Sequence, residues 1–174
     1  VNILGHSHPL YIKAHLESAA SDTIMCGNLL TYQEPAAVTK RLIDAVKDSR
    51  LKHFWFAGSG SFANDTALKI IWQKMAPKYK LIAFEKAFAG RSIATQNITY
   101  NEEYRVGMPA SVEVEHVPNY DYIDPQNALK KTISALDKIW EKDPDSYCAI
   151  MLELVQGEGG FIYGTKEYYE GVFK

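Results

Sequence analysis

Four places along the chain combine residue types that do chemistry with turns able to present them. Gly58-Ser59-Gly60-Ser61 follows the aromatic run Phe54–Ala57 and precedes Ala63, Ala67, Leu68 and Ile71 at helical spacing, so strand, glycine turn and helix are expected in that order. Backbone N–H groups and a hydroxyl at a helix start face an anion with the helix dipole behind them, which makes Gly60 and Ser61 a candidate phosphate cradle. The turn has no Walker lysine, and Ala63 stands where a GxGxxG motif would carry its third glycine. Nucleotide readings therefore lose weight, and a plain tight turn remains an alternative. The second place is Phe88-Ala89-Gly90-Arg91, beyond the expected strand Leu81–Phe84. There the Phe88 ring could cover a flat ligand and the Arg91 fork could grip a carboxylate, although phenylalanine also serves cores and arginine surfaces. Third, Glu153 ends the apolar run Cys148–Leu152, and a carboxylate there needs a partner or a shifted pKa. Fourth, Glu158 lies between Gly157 and Gly159, placed to reach into a cleft or to remain a solvated loop charge.

Other polar residues carry less. His6 and His8 are two apart, not at the i, i+4 spacing of a helical zinc pair, and no further ligands follow, so no metal site is expected. His15, His53 and His116 are isolated, and the pair Tyr168-Tyr169 reads as packing. No nucleophile elbow and no Ser/His/Asp order supports hydrolysis.

These residues must be positioned by a folded scaffold. At roughly 100 to 200 residues per domain, 174 residues make about one domain's worth of core, and 47% apolar with 23% charged residues is the mix of a globular chain. The net charge of −2 offers no basic excess for phosphate-backbone binding, so nucleic acid is not an expected partner. The longer apolar runs, Phe54–Ala57 and Cys148–Leu152, fall far short of the roughly 18 residues a membrane span needs. Two distant cysteines, Cys26 and Cys148, form no metal motif or disulfide framework and are expected as buried thiols in a reducing, cytoplasmic setting. The chain begins at Val1 without a signal peptide and ends at Lys174 inside a helix expected from Thr165, so it reads as an interior piece of a longer protein.

A helix is expected from Pro35 through Val38, Leu42, Ile43 and Val46, with Glu34 favouring its positive start. Another is expected from Ser92, and a short strand over Val112, Val114 and Val117. Asp124-Pro125 supplies an N-cap acceptor and a proline at N1 for a helix carrying Leu129, Ile133, Leu136 and Trp140. Cys148–Leu152 reads as a strand buried on both faces. Alternating strands and helices argue for an α/β fold with a parallel sheet, whose ligands bind beyond the carboxyl ends of the strands, where the glycine-bearing turns lie.

Together these motifs resemble the class III aminotransferases, pyridoxal-phosphate enzymes of fold type I. LGHSHP at 4–9 resembles the family's LGHxHP, and NLLTYQEPA at 28–36 its substrate-side segment. GSGSFANDTALK at 58–69 resembles SGTEAxxxALK, FAGRS at 88–92 resembles FHGRT, and ELVQGEGG at 153–160 resembles EPVQGEGG. Five motifs in order are far more specific than any one. The resemblance implies a three-layer α/β/α large domain with a mostly parallel sheet, incomplete here, with residues 1–45 as lead-in and first helix and residues 46–174 as the first part of the cofactor domain. The rest of that domain and a C-terminal small domain are expected outside the chain.

By that resemblance Gly60 and Ser61 bind the phosphate of pyridoxal 5'-phosphate, Phe88 stacks on its pyridine ring and Glu153 belongs to the shell beneath it. Arg91 holds a substrate carboxylate, and Glu158 neighbours the substrate, pairing in some members with a distant arginine. The implied activity moves an amino group from an acetylornithine-, ornithine- or 4-aminobutyrate-like donor to a 2-oxo acid, in a homodimer. The Schiff-base lysine and the aspartate at the pyridine nitrogen are expected downstream of Lys174, so no catalytic residue is assigned within the segment, which alone is expected to be inert. Three positions depart from the pattern: Phe62 replaces a glutamate, Ala89 a histidine or tryptophan, and Leu154 a proline. Phe62 removes a charge beside the phosphate turn, and Ala89 is expected to leave space beside the cofactor. An aminomutase or racemase relative, a degenerate paralogue and an unrelated nucleotide-binding α/β domain stay open as alternatives.

Overall fold

The computed structural model describes residues 3–21 and 33–174, with Gln33 described by its backbone alone. Cys26 and positions 28–32 of the substrate-side segment lie outside the described residues. The chain divides into two units, Val1–Phe54 and Trp55–Lys174.

The first unit carries α1 (Pro9–Ala20) and α2 (Gln33–Ala45). Sequence reading passed over α1, although Pro9 at its first turn is a start signal because proline's missing N–H is not needed there. Helix α2 begins two residues before Pro35, with Glu34 in its first turn as the dipole favours and a Lys40–Asp44 pair at 2.6 Å along its surface.

In the second unit α3 (Gly60–Met75) is followed by β1 (Lys80–Phe84), two 3₁₀ turns (Thr95–Asn97 and Glu102–Arg105), β2 (Val114–Val117), α4 (Pro125–Lys142), β3 (Tyr147–Met151) and α5 (Lys166–Val172). The strands form a parallel sheet in the order β2-β1-β3. Successive side chains of β1 point to opposite faces, so Ile82 and Phe84 join Val117, Ala128, Leu136, Tyr168 and Val172 in one core beneath α4 and α5. Leu81 and Ala83 join Leu68, Ala89 and Ile98 in a second core beneath α3. Helices on both faces of a parallel sheet make the α/β/α layering expected of the large domain.

Several local expectations give way to tertiary constraints. Phe54–Ala57 joins no ladder. The strand buried on both faces is β1; β3 spans Tyr147–Met151, one residue earlier than expected, lies at an edge and is half-buried. Cys148 is accordingly half-buried, its thiol donating to the Lys80 carbonyl at 3.2 Å, and desolvation pushes its pKa up. The helix expected from Ser92 is only the 3₁₀ turn at Thr95–Asn97. Ser92 Oγ accepts from the Thr95 N–H at 3.2 Å and Thr95 Oγ1 from the Ser92 N–H at 3.1 Å, a side-chain exchange that competes with helical pairing. The strand around Val112 starts at Val114. Helix α4 runs as expected from Pro125, but the Asp124 carboxylate is engaged chiefly by side chains, Lys131 Nζ at 3.0 Å and Asn127 Nδ2 at 2.9 Å, which in that order hold its pKa low. Thr165 caps α5 by accepting the Tyr168 N–H. Among the described residues no helix is long and apolar enough to cross a membrane.

Candidate functional site

The site lies where α3 begins and where the chain leaves β1. At the start of α3, Ser59 accepts the Phe62 N–H on its hydroxyl at 3.3 Å and the Ala63 N–H on its carbonyl at 3.0 Å. Capping in this way leaves the N–H groups of Gly60 and Ser61 ahead of the first intrahelical bond, without an acceptor among the described residues. A Cβ built on Gly60 would meet nothing within 4 Å, so there is open space beside the bend. Sixteen aligned residues of α3 stand behind it.

The Phe88–Ser92 turn packs directly against this helix start. Arg91 N–H donates to Ser61 Oγ at 3.4 Å, Asn64 Nδ2 donates to the Ala89 carbonyl at 2.7 Å, and Ser92 Oγ donates to Asp65 at 2.7 Å. From the other side the buried Thr99 hydroxyl accepts the Ala89 N–H at 3.1 Å and donates to the Gly90 carbonyl at 2.9 Å. Gly90 has φ +130°, and a Cβ there would collide with Ser61 Oγ and lie 2.7 Å from Thr95 Oγ1. Only glycine permits both that backbone angle and that approach. Glu153, at the exit from β3, accepts the Phe88 N–H at 2.9 Å, which answers the question of its partner.

The half-buried Phe88 ring stands edge-on to Tyr104, centroids 5.9 Å apart. The Arg91 guanidinium lies 4.5 Å from the Tyr104 ring centroid and 6.0 Å from that of Phe88. Tyr104 donates its hydroxyl to Glu158, and that bond, with burial second, raises the phenol above its ordinary pKa. Arg91 itself pairs with no carboxylate among the described residues.

All six residues singled out by sequence, Gly60, Ser61, Phe88, Arg91, Glu153 and Glu158, thus belong to one connected constellation. Ala89 does not open a space there; it is buried in the core with Leu68, Leu81, Ala83 and Ile98. Phe62 is 61% exposed. Sequence reading missed Asn64, Asp65, Thr95, Thr99 and Tyr104. Ser92 and Thr95, three apart after a glycine, carry the local signal of a side-chain turn, whereas nothing local marks the other four.

A family model for aminotransferase class-III matches residues 1–174. The chain belongs to the class III aminotransferases. This aminotransferase chain is 31% identical to acetylornithine aminotransferase 1 of Pseudomonas syringae pv. tomato, over all of its own length and 40% of the relative. It is 34% identical to the acetylornithine aminotransferase of Methanopyrus kandleri, over 92% of itself and 37% of that protein. It therefore spans about 40% of the curated relatives it matches. Among solved structures, it superposes on an (S)-enantioselective omega-transaminase from Thermomicrobium roseum with TM-score 0.85 at 20% identity, covering 98% of this chain and 41% of that one. It superposes likewise on a taurine:2-oxoglutarate aminotransferase from Bifidobacterium kashiwanohense, solved with PLP and glutamate, with TM-score 0.81 at 22% identity, covering 97% and 40%. These neighbours share its fold.

Proposed function

We propose that the complete protein is a pyridoxal-phosphate-dependent aminotransferase, moving an amino group from an acetylornithine-, ornithine- or 4-aminobutyrate-like donor to a 2-oxo acid, and that this chain supplies the first part of its cofactor domain. The observation that carries this reading is the joining of two motifs distant in sequence. The Gly60-Ser61 helix start and the Phe88–Ser92 turn meet through Arg91 N–H on Ser61 Oγ at 3.4 Å and Asn64 on the Ala89 carbonyl at 2.7 Å.

The residues present fit the group. The open bend at Gly60 and the uncommitted N–H groups of Gly60 and Ser61 suit a phosphate dianion, whose charge the α3 dipole favours. The Phe88 ring suits a flat heteroaromatic face. When bound, pyridoxal phosphate acts as an electron sink for charge developed on the donor carbon. This chain's residues then bind and orient. Gly60 and Ser61 would hold the phosphate and Phe88 would cover the ring, while Glu153 in the surrounding shell fixes the Phe88 backbone by accepting its N–H. Arg91 receives the donor's carboxylate with its planar fork, and Glu158 borders the same pocket. We also read the complete protein as a cytoplasmic homodimer, a reading supported by cysteine use and by the family resemblance.

The test uses the complete polypeptide. Incubation with pyridoxal phosphate followed by borohydride reduction and mass spectrometry should yield a covalent pyridoxyl increment. Supplying N-acetylornithine, ornithine or 4-aminobutyrate with 2-oxoglutarate should yield glutamate. Absence of both the increment and glutamate would overturn the proposal, while the increment without glutamate would move the protein toward the aminomutase and racemase relatives.

A further inference from the structure

Tyr104 touches two opposite charges, Arg91 and Glu158. Its ring underlies the Arg91 guanidinium at 4.5 Å, and its hydroxyl donates to Glu158. A guanidinium and a carboxylate that both touch one side chain are near enough to attract, and a paired arginine has its fork filled. A neutral phenol satisfies the carboxylate without neutralising the cation, and a tyrosine that meets the guanidinium with its ring and one N–H with its hydroxyl leaves the other N–H donors of the fork free.

The tyrosine is itself held firmly. It sits in the 3₁₀ turn Glu102–Arg105, where Arg105 donates to the Thr99 carbonyl at 3.1 Å and pairs with Glu102 at 3.0 Å. Thr99 is the residue whose hydroxyl fixes Ala89 and Gly90, so the platform and the arginine it supports share one buried anchor. A phenol is a donor throughout the neutral range, and the bond to Glu158 moves its pKa further up.

We propose that Tyr104 is a positioning residue for donor recognition, seating the Arg91 guanidinium on its ring and restraining Glu158 with its hydroxyl so that Arg91 stays open to a carboxylate on the amino donor. The inference rests on the reading above that Arg91 receives that carboxylate. It implies selection for carboxylate-bearing donors over plain alkylamines.

The test compares, in the complete protein with pyridoxal phosphate, a carboxylate-bearing donor and an alkylamine lacking one, alongside calorimetric titration with glutarate, which reads affinity without turnover. Removing one oxygen with Y104F frees Glu158 to capture Arg91. KM for the carboxylate donor should rise roughly tenfold and glutarate affinity fall by the same factor, the size of one charge-assisted contact, with kcat and the alkylamine kinetics unmoved. Repeated in an E158Q background, Y104F should change neither, because no carboxylate remains to capture the arginine. Equal effects on both donors, or the same loss with and without E158Q, would overturn the proposal. R91A separates the two layers: if it raises KM and weakens glutarate binding while Y104F does neither, the role of Tyr104 fails alone. If R91A changes nothing, the assignment of Arg91 fails and carries this inference with it.

Discussion

At the carboxyl end of β1 the turn from Phe88 to Ser92 is fixed largely by neutral groups, the hydroxyls of Ser61, Thr95 and Thr99 and the amide of Asn64, with bonds of 2.7 to 3.4 Å to backbone atoms. At its amino end the same strand is secured by charge. Lys80 pairs with Asp143 at 3.0 Å and Glu113 at 3.3 Å, and Lys78 with Asp145 at 3.5 Å. Each carboxylate at that end keeps at least a quarter of its side chain exposed, where pairs are screened and individually weak. The carboxyl end draws most of its rigidity from neutral groups, with Glu153 on the Phe88 N–H and Asp65 on the Ser92 hydroxyl as the two carboxylates of the network. The local field there comes from the α3 helix start, Arg91, Glu158 and those two carboxylates, in a turn whose shape is already set. One strand thus joins a precise end to a merely stable one.

The sharpest way to break this contrast is at Gly90. Replacing it with alanine forces an L side chain to φ +130° and drives its methyl into Ser61 and Thr95. Backbone strain on the order of 1–3 kcal/mol is joined by a comparable overlap cost, and the turn can relieve both only by moving Arg91 away from Ser61. Gly90→Ala in the complete protein should give the largest fall in melting temperature of the substitutions considered and a loss of cofactor retention on dialysis. Retention equal to the parent would show that the turn does not shape the cradle.

Thr99 tests the neutral network more gently. Thr99→Val keeps the volume but leaves the Ala89 N–H and Gly90 carbonyl unpaired in the core, costing about 1–3 kcal/mol. Thr99→Ser retains both bonds and should recover most of that loss in denaturant melts. If valine and serine behave alike, the hydroxyl is not what holds the turn.

That contrast also marks what could be read from sequence. Gly60, Ser61, Phe88 and Arg91 were legible because glycine turns after apolar runs announce strand ends, and strand ends of a parallel sheet gather in one place. Helix α4 was legible from its proline start and its period, and Leu81–Phe84 from its apolar run. Asn64, Thr99 and Tyr104 were not, since their partners lie 25, 10 and 54 positions away and no local pattern marks a long-range hydrogen bond. Phe54–Ala57 failed for the opposite reason: its composition suits a strand, but composition alone does not specify a ladder, and the run joins none. Ala89 misled because its size was read without its burial; packed beneath α3, a small residue fills the core and opens no pocket.

The amino end should respond least, and chiefly to pH. Asp143 is held below the usual carboxylate range, first by its hydrogen bond to Ser146 and then by Lys80, whose own pKa is raised by the same pairing. A carboxylate with a lower pKa in the folded than in the unfolded state contributes stability above its unfolded pKa, and loses it as pH falls through the folded one. Unfolding at acid pH therefore takes up a proton at Asp143, and the melting temperature of the parent should decline as pH drops below the ordinary aspartate range. Asp143→Asn abolishes that proton uptake, so it should lower the melting temperature slightly at neutral pH and flatten the acid limb, with added salt shrinking the neutral-pH difference. Cofactor retention should stay at the parent level, because the ion pairs stand at the far end of β1 from Phe88 and Ser61. A variant that kept the acid slope unchanged, or lost the cofactor as readily as Gly90→Ala, would show that the two ends of the strand are not separable.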